Sequence, residues 1–496
     1  MSGEFGRVQR KIDTQRKRDN VAKALLARRS RLRRTYREDI TSTLVPNTNG
    51  TVVASYDHNI YSGQFSNDSM FYYTCCQDFR LHVYDTTAPP IKPPPRSAPL
   101  RGRHGFVPPE HETTMKVIKT IDGHPGRWTI TDSHLSPDNE RIIYSSITPT
   151  VYMTTTTDSS TVQTPIRLSD RDRQRWGEES FGIYSCRFSA DGNEVIAGGS
   201  GMIFVYDLLA DRRTVKINAH ADDVNSCCWA DTASGNVLIS ASDDTFLKVW
   251  DRRSLGTSKR PSGVLIGHTE GITNVSAKGD GRYIISNGKD QALRLWDLRK
   301  MCTNEEYENV RHVTYGIPGY DYRYRHYPKP KVLAHPKDCS VMTYRGHTVL
   351  STLIRCHFSP AETTGGQYLY SGSADGRIHI WSLDGRVVQV LDRSRTLPIT
   401  FDPSAPEPDQ TSGTRAEVCV RDVSWHSREP VILSAGWESG TMGSRSSVAR
   451  HEWKGLTKMA PGRLEDYLER QRLQSGEVPQ LQRMRIPGSF DEQDEV

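Results

Sequence analysis

Three segments of this 496-residue chain contain a histidine followed by a serine, an aspartate and a tryptophan, with the last three at fixed spacing. The sets are His220, Ser240, Asp244 and Trp250; His268, Ser286, Asp290 and Trp296; and His347, Ser371, Asp375 and Trp381. Serine, histidine and aspartate are the residue types of a hydrolase triad, in which histidine takes the proton of an attacking serine and aspartate orients the histidine.

A structural role explains these sets better than catalysis does. A nucleophile must stand exposed beside an oxyanion hole, whereas three copies beside a buried tryptophan describe a hydrogen-bond chain that ties turn, strand and loop together. The chain also lacks the G-x-x-x-x-G-K-[ST], G-x-G-x-x-G, H-E-x-x-H and G-x-S-x-G signatures. We therefore predict a protein that is not an enzyme, with no catalytic residue, no metal site and no cofactor.

The sets recur because the chain itself repeats. Tyr206, Trp250 and Trp296 are each followed by aspartate and lie 44 and 46 positions apart. A period of about 40 to 45 residues that ends in Trp-Asp is typical of a four-stranded propeller blade. Seven units can be counted, at 61–87, 118–157, 180–217, 220–256, 267–301, 344–385 and 419–453. Units one to three and seven are degenerate, and in the seventh Glu438 precedes an insertion before Trp453. The predicted fold is an all-β, seven-bladed β-propeller, and we expect residues 51–57 to complete its last blade.

Segments of different composition flank and interrupt the repeats. Residues 1–50 are predicted to be a basic, helical arm: thirteen basic and five acidic residues give 1–40 a charge of +8, which leaves −2 for the rest of a chain with a net charge of +6. The propeller is expected at 51–455, with insertions at 86–114, 302–339, 393–418 and 439–447. Residues 456–496 are expected to be a charged, mostly disordered tail.

Cysteine use and hydropathy bear on the compartment. The nine cysteines are odd in number and form no C-x-x-C pair, which favours reduced, buried thiols. We find neither an apolar run long enough for a membrane span nor a secretory signal, and we expect the protein in the nucleus and cytoplasm. A transit peptide at the arginine-rich start is the weaker alternative.

Two basic features raise the question of nucleic-acid binding. The arginine runs at 15–18 and 28–34 suit a nuclear import signal or a phosphate-binding strip, and a solvated helix face is an equal alternative. Residues 320–327 alternate tyrosine with basic residues, as single-strand binders do, although a loop that packs tyrosines on the propeller wall is favoured. Because the body of the chain is slightly acidic, binding to nucleic acid is not expected.

Arg253 and Arg299 each follow a repeat tryptophan by three residues, in consecutive units. They come just past the third strand, on the face opposite the Gly-His loops, and each can present a guanidinium fork to a partner. One such arginine alone would be an ordinary surface residue, but a matched pair on neighbouring blades favours an interface.

The most specific stretches, at 220–225, 284–297, 342–350, 353–360 and 420–426, resemble WD-repeat substrate receptors of cullin-4 RING ubiquitin ligases. This resemblance covers about 60–455. It implies a receptor that docks on the ligase adaptor, the damaged-DNA-binding protein large subunit, within a cullin-4 complex, and presents an unknown protein substrate for ubiquitination. It also implies that the Trp-Asp-x-Arg elements touch the adaptor; the residues are Trp250, Asp251, Arg253, Trp296, Asp297 and Arg299. The alternative is a WD-repeat scaffold in another nuclear or ribosome-related assembly without a ligase role.

Propeller connectivity assigns the insertions to two faces. Loops between third and fourth strands share a face with Arg253 and Arg299, here called the arginine face, and the other loops lie on the opposite or far face. Insertions 86–114 and 302–339 are therefore expected on the arginine face. Insertions 393–418 and 439–447 are expected on the far face, where we expect substrate to be recognised. That all four are surface spacers is the alternative.

Overall fold

The computed structural model describes residues 41–91, 111–169, 181–231, 235–255, 260–324, 326–401, 417–440 and 443–454. Their strands form seven sheets, and the first strands of neighbouring sheets contact each other all the way round. The fold is therefore a closed, seven-bladed β-propeller, as the sequence predicts. Residues 1–40 of the predicted arm at 1–50, and the predicted tail at 456–496, lie outside the described residues.

Blades one to six each take four antiparallel strands from one stretch of chain, running from the centre outward. Blade one contains β2 (Ile60–Phe65), β3 (Phe71–Cys76), β4 (Arg80–Asp85) and β6 (Lys116–Asp122). Blade two contains β7 (Ile130–Leu135), β8 (Arg141–Ser146), β9 (Thr150–Thr155) and β10 (Thr164–Arg167). Blade three contains β11 (Ile183–Phe188), β12 (Glu194–Gly199), β13 (Met202–Asp207) and β14 (Arg212–Asn218). Blade four contains β15 (Val224–Trp229), β16 (Val237–Ser242), β17 (Leu247–Asp251) and β18 (Gly263–Leu265).

Blade five contains β19 (Ile272–Ala277), β20 (Tyr283–Gly288), β21 (Ala292–Asp297) and β22 (Met342–Tyr344). Blade six contains β23 (Cys356–Phe358), β24 (Tyr368–Ser371), β25 (Arg377–Ser382) and β26 (Val387–Asp392). The helices within the described residues are α1 (Asn304–Glu308), α2 (Ala361–Thr364) and two 3-10 turns at Leu298–Lys300 and Arg393–Arg395. Within the described ranges, no helix has the length and apolar character that crossing a membrane requires.

Blade seven joins the two ends of the propeller. It contains β27 (Glu417–Trp425), β28 (Val431–Gly440) and β29 (Gly443–Glu452) from one end and β1 (Thr51–Tyr56) from the other. β1 pairs antiparallel with β29, with Thr51 opposite Arg450. This confirms the prediction that residues 51–57 complete the last blade. A fifth strand, β5 (His111–Thr113), pairs with the outer edge of β1, so the end of the 86–114 insertion lies on the edge of blade seven.

The hydrophobic core is distributed between the blades. Seven clusters of buried residues each combine side chains from two neighbouring blades, as in the cluster of Leu247 and Val249 from blade four with Ile284 and Trp296 from blade five. Each blade is therefore covered on both faces by its neighbours, which is why all residues of β20 and β21 in blade five are buried. Val45 joins the cluster between blades six and seven, so residues 41–50 pack on the propeller and are not part of a free arm.

Blade seven corrects two details of the sequence analysis. Residues 439–440 and 443–447 belong to the ten-residue strands β28 and β29 and are not an insertion. His451, and not Trp453, takes the place of the blade tryptophan, because it lies opposite Ile432 as Trp296 lies opposite Ile284. His451 Nε2 and Ser434 Oγ are 2.8 Å apart.

The insertion at 302–339 is also placed differently from the prediction. Cys302 pairs with Val264 on the outer edge of β18, and Tyr307 then packs edge-on against Phe246, in the turn between β16 and β17. Further along, the Ile317 N–H donates to Glu270 Oε1 at 2.6 Å in the loop between blades four and five. Those turns are on the far face, so the prediction that 302–339 belongs to the arginine face is wrong for its central part. Tyr307, Phe246 and their apolar neighbours form a separate buried cluster that holds the insertion there.

Candidate partner-binding surfaces

Hydrogen-bond chains fix the turns of blades four and five. In blade five the Trp296 Nε1–H donates to Ser286 Oγ at 2.8 Å. His268 Nε2 lies 2.7 Å from the same oxygen, and its Nδ1 lies 3.0 Å from Asp290 Oδ1. Blade four repeats the chain with Trp250, Ser240, His220 and Asp244. Burial alone would raise the pKa of Asp290, but His268 and Arg294 hold it below its usual value. Both serines are fully buried, and their hydrogen bonds join turn, strand and loop within each of the two blades.

The third set does not form this chain. His347 Nε2 lies 2.7 Å from Asn287 Oδ1 of blade five, and Asp375 pairs with Arg377 near the surface. The ring of His379 stacks on Trp381 with centroids 5.5 Å apart, and neither Trp381 Nε1 nor His347 Nδ1 has a hydrogen-bond partner among the described residues. The prediction of one network for His347, Ser371, Asp375 and Trp381 is therefore wrong. The physical reason is that His347 pairs with Asn287 of blade five and not with the serine and aspartate of its own blade.

Aspartates that end the third strands orient the side chains of the arginine face. Asp251 Oδ1 accepts the backbone N–H of Arg253 at 3.0 Å, and Asp251 Oδ2 accepts a guanidinium N–H at 2.7 Å. Asp297 accepts the Arg299 N–H at 3.1 Å and approaches its guanidinium at 3.4 Å. The two arginine side chains remain 70% and 65% exposed. The arrangement presents two guanidinium groups in the same way on neighbouring blades.

Blade three places an apolar residue at the same position. Asp207 Oδ1 accepts the N–H of Leu209 at 2.9 Å, and Leu209 is 80% exposed. Leu209, Arg253 and Arg299 thus stand two residues after an aspartate in three consecutive blades, and together they are called the arginine row. Sequence reasoning missed Leu209, although its offset from Asp207 is the same as that of each arginine from its aspartate.

Burial corrects part of the predicted adaptor site. Trp250 and Trp296 are only 1% and 0% exposed, so they cannot touch a partner without unfolding the blade. Asp297 is also buried, and it additionally binds the Arg282 guanidinium at 2.7 Å. Arg252, the neighbour of Arg253, binds Glu194 of blade three through two N–H groups at 2.6 Å. Arg253 and Arg299 are the most exposed residues of this group, whereas the side chains of Asp251 and Arg252 are only 24% and 23% exposed.

A buried polar ring closes the centre of the propeller. One residue on or beside the first strand of every blade contributes to it: Ser62, Asp132, Ser185, Ser226, Asn274, Arg355 and Asp422. Arg355 of blade six reaches across the ring to Asp132 of blade two at 2.7 Å and to Asp422 of blade seven at 3.3 Å. Burial would raise the pKa of Asp422, but Arg355 and His357 hold it well below its usual range. The ring ties blades together, and sequence reasoning did not identify it.

Aromatic residues surround the far-face end of this centre, which is called the far-face mouth. Tyr61 lies edge-on to Trp128, with ring centroids 5.3 Å apart, and 5.2 Å from Trp437. The Arg421 guanidinium lies over the Tyr61 ring at 4.8 Å. Tyr322, from the central part of the 302–339 insertion, accepts the N–H of Ser351 through its carbonyl and lies under Lys289 Nζ at 4.2 Å. The mouth combines an exposed aromatic residue with a buried cation.

Fold and sequence together define a WD-repeat propeller. The family model described as WD domain, G-beta repeat matches residues 174–207, 212–251, 259–297 and 338–382, and these matches end at the third strands of blades three to six. The chain is 38% identical over 403 residues to the LEC14B homolog of Prunus armeniaca, covering 80% of this chain and 72% of the relative. It is 36% identical over 428 residues to the LEC14B protein of Lithospermum erythrorhizon, covering 84% and 77%. The chain belongs to this LEC14B family of WD-repeat proteins.

A second group of relatives supports the resemblance found in the sequence. The chain is 34% identical over 322 residues to the DDB1- and CUL4-associated factor 11 homolog of Caenorhabditis elegans, covering 63% of this chain and 51% of the relative. The homolog of Caenorhabditis briggsae is 39% identical over 264 residues, covering 52% and 43%. The chain therefore resembles WD-repeat receptors of the type named for association with the cullin-4 ligase.

Proposed function

We propose that this protein is a non-enzymatic substrate receptor of a cullin-4 RING ubiquitin ligase. In this proposal the arginine face docks on the adaptor, the large subunit of the damaged-DNA-binding protein, and the far face holds the protein to be ubiquitinated. The class of assembly is taken from the name of the two Caenorhabditis relatives, DDB1- and CUL4-associated factor 11 homolog. We propose that the complex works in the nucleus and cytoplasm and without nucleic acid.

One observation carries the proposal: the arginine row places three exposed side chains at equivalent turns of blades three, four and five. Its aspartates already hold the two guanidinium groups, so little side-chain freedom is lost when a partner binds. Leu209 adds an exposed apolar side chain at the equivalent turn of blade three, the neighbour of the blade that carries Arg253. Arginine is among the residue types that are enriched at protein interfaces and that dominate their binding energy.

Charge reversal of the arginine pair tests the docking surface. The double change Arg253→Asp and Arg299→Asp is expected to abolish co-purification of the adaptor and cullin, because lost charge-assisted contacts typically cost about 2 to 5 kcal/mol. The fold is expected to be unchanged, since both side chains are exposed.

The matched control is the double change Arg323→Asp and Arg445→Asp, which reverses two exposed arginines on the far side of the molecule. It should leave adaptor binding intact. Normal co-purification of the Arg253 and Arg299 variant, with normal melting, would reject the docking surface. Absence of the adaptor and cullin from purifications of the unaltered protein would instead favour a scaffold in another assembly.

A further inference from the structure

Arg421, at the far-face mouth, is a buried cation without an anionic partner. It is 4% exposed, and no carboxylate of the described residues lies within ion-pair distance of it. Among the described residues its hydrogen bonds come from Nη1 alone, to Leu353 O at 2.6 Å and Thr352 Oγ1 at 3.1 Å, and its Nε has no acceptor there. Burial, followed by the nearby charge of Arg355, lowers the pKa of Arg421 to about 10, so the group stays charged at neutral pH. A buried arginine normally has its charge paired.

Arg393 shows what a purely structural arginine looks like in this fold. It is equally buried and also has no carboxylate of the structurally described residues in ion-pair distance, but Nη1 binds Ser434 at 2.8 Å and Nη2 binds Ser447 at 2.6 Å. Two sides of its guanidinium are therefore occupied by hydroxyl and carbonyl oxygens. Arg421 has an acceptor on one side only, which leaves part of its donor fork available.

The position of Arg421 is also exceptional within the repeat. In most blades the first strand bulges by one residue at the far-face end. At this position Thr131, Asn225 and Thr273 each donate to a carbonyl of the following blade, at 2.6 to 2.9 Å. Arg421 is the extra residue of the bulge in blade seven, and it donates instead to the carbonyl of Leu353, which precedes the first strand of blade six. The junction with blade one is filled by the aromatic group of Tyr61, Trp128 and Trp437.

Trp128 marks the mouth as a surface built for contact. It is 59% exposed, and its backbone has φ of 73°, a conformation that bulky residues rarely adopt. Such strain persists where the surrounding structure imposes it, often at binding sites. The strained loop projects a large aromatic side chain beside Tyr61, the residue that covers the Arg421 guanidinium.

We propose that the far-face mouth binds an acidic segment of a client protein, with a side-chain carboxylate on Arg421 and the neighbouring side chains against Trp128. This inference rests on the proposed receptor function and specifies the class of client. Charge complementarity carries it, because a client carboxylate supplies the anion that the fold leaves out. The carboxylate accepts a hydrogen bond from Nη2 of Arg421, because Nη1 is already bonded and Nε is buried. Such charge-assisted hydrogen bonds are strong.

The test uses the full chain and a fluorescent, N-acetylated and C-amidated hexaglutamate peptide, with hexaglutamine carrying the same label as the control peptide. Fluorescence anisotropy should show saturable binding of hexaglutamate and no binding of hexaglutamine. Arg421→Met, which keeps an unbranched apolar stem and removes the guanidinium, should weaken binding about tenfold or more. Trp128→Ala, a change at an exposed position that keeps the fold, should weaken it about threefold or more.

Arg445→Gln removes an exposed arginine of the same region and should leave the affinity unchanged. Equal binding of both peptides, or an equal loss in Arg421→Met and Arg445→Gln, would overturn the proposal. If Arg421→Met does not fold, unaltered affinity of Trp128→Ala would overturn it alone. Self-association that hexaglutamate disperses would assign the mouth to the acidic residues 491–495 of a second copy and would overturn the client assignment. The Arg253 and Arg299 variant should still bind hexaglutamate, so failure at the mouth is separable from failure of the docking surface.

Discussion

Replacing Arg355 with methionine should destabilise the propeller through the two carboxylates that it leaves behind. Arg355 makes three buried contacts, to Ser62 at 2.9 Å, Asp132 at 2.7 Å and Asp422 at 3.3 Å. Removing one partner of a buried ion pair costs about 3 to 5 kcal/mol. Asp132 keeps Arg187 as a partner, whereas Asp422 loses the only lysine or arginine within ion-pair distance of it among the described residues. Because only one of the two carboxylates is left unpaired, we expect a loss of unfolding free energy at the lower end of this range, about 3 kcal/mol.

The pH dependence of this loss identifies its cause. In the unaltered protein the pKa of Asp422 lies below its unfolded value, so its contribution to stability is present above about pH 4 and is lost as the pH falls through the folded pKa. Without Arg355, burial should raise the pKa of Asp422 above its unfolded value. The free-energy cost of keeping an unpaired, ionised Asp422 buried should then be largest at neutral pH and should decrease on acidification toward pH 5.

Urea unfolding followed by tryptophan fluorescence, at pH 7.5 and pH 5, measures both effects as differences from the unaltered protein. The double variant Arg355→Met and Asp422→Asn should recover part of the loss at pH 7.5, because the unpaired charge is gone. Arg386→Met in the same blade, where the side chain is exposed, should change stability by less than about 0.5 kcal/mol. A loss for Arg355→Met that is below about 1 kcal/mol, or that grows on acidification, would refute this account of the ring.

Further predictions concern the blade networks, the edge of blade seven and the insertion. Asp290→Ala should cost about 1 to 3 kcal/mol, whereas Asp375→Ala, outside any such chain, should cost less than about 0.5 kcal/mol in the same urea assay. Burial lowers the pKa of His82 to about 3 and of His111 to about 4. Their contribution is therefore present above about pH 6.5 and is lost as the pH falls toward 4, which should speed amide exchange at 111–113 after correction for the intrinsic rate; exchange independent of pH would contradict this. Tyr307→Ala should expose 302–339 to limited proteolysis by weakening its local stability by about 3 kcal/mol, and an unchanged cleavage pattern would contradict the packing on Phe246.

The sequence predicts the ring because the repeat is strictly local. Strand alternation, the Trp-Asp ends and the turn aspartates lie within one blade, so the fold class and the positions of the two arginines follow from spacing. Closure by 51–57 follows from a different argument, the need to cover the open sheet edge of the last blade. The site details depend on contacts between blades, which spacing does not encode. Asn287 of blade five decides what His347 of blade six binds, and Arg355 finds Asp132 across the centre, 223 positions away. The face of the 302–339 insertion was predicted wrongly for the same reason. Connectivity fixes the ends of the insertion, but Tyr307 and Ile317 contact residues on the opposite face.

Because blade seven joins strands from the two ends of the propeller, the order of synthesis has a physical consequence. β1 emerges from the ribosome early, yet its partner β29 lies about 400 residues later. At about 5 to 20 residues per second, the nascent strand waits roughly 20 to 80 s before it can pair. During that interval Val52, Val53 and Ala54 form an unpaired, apolar edge of the kind that chaperones bind and that promotes aggregation. A slower ribosome should therefore lower the yield of soluble protein, and a permuted chain that places residues 41–56 after Lys454 should be far less sensitive to translation speed.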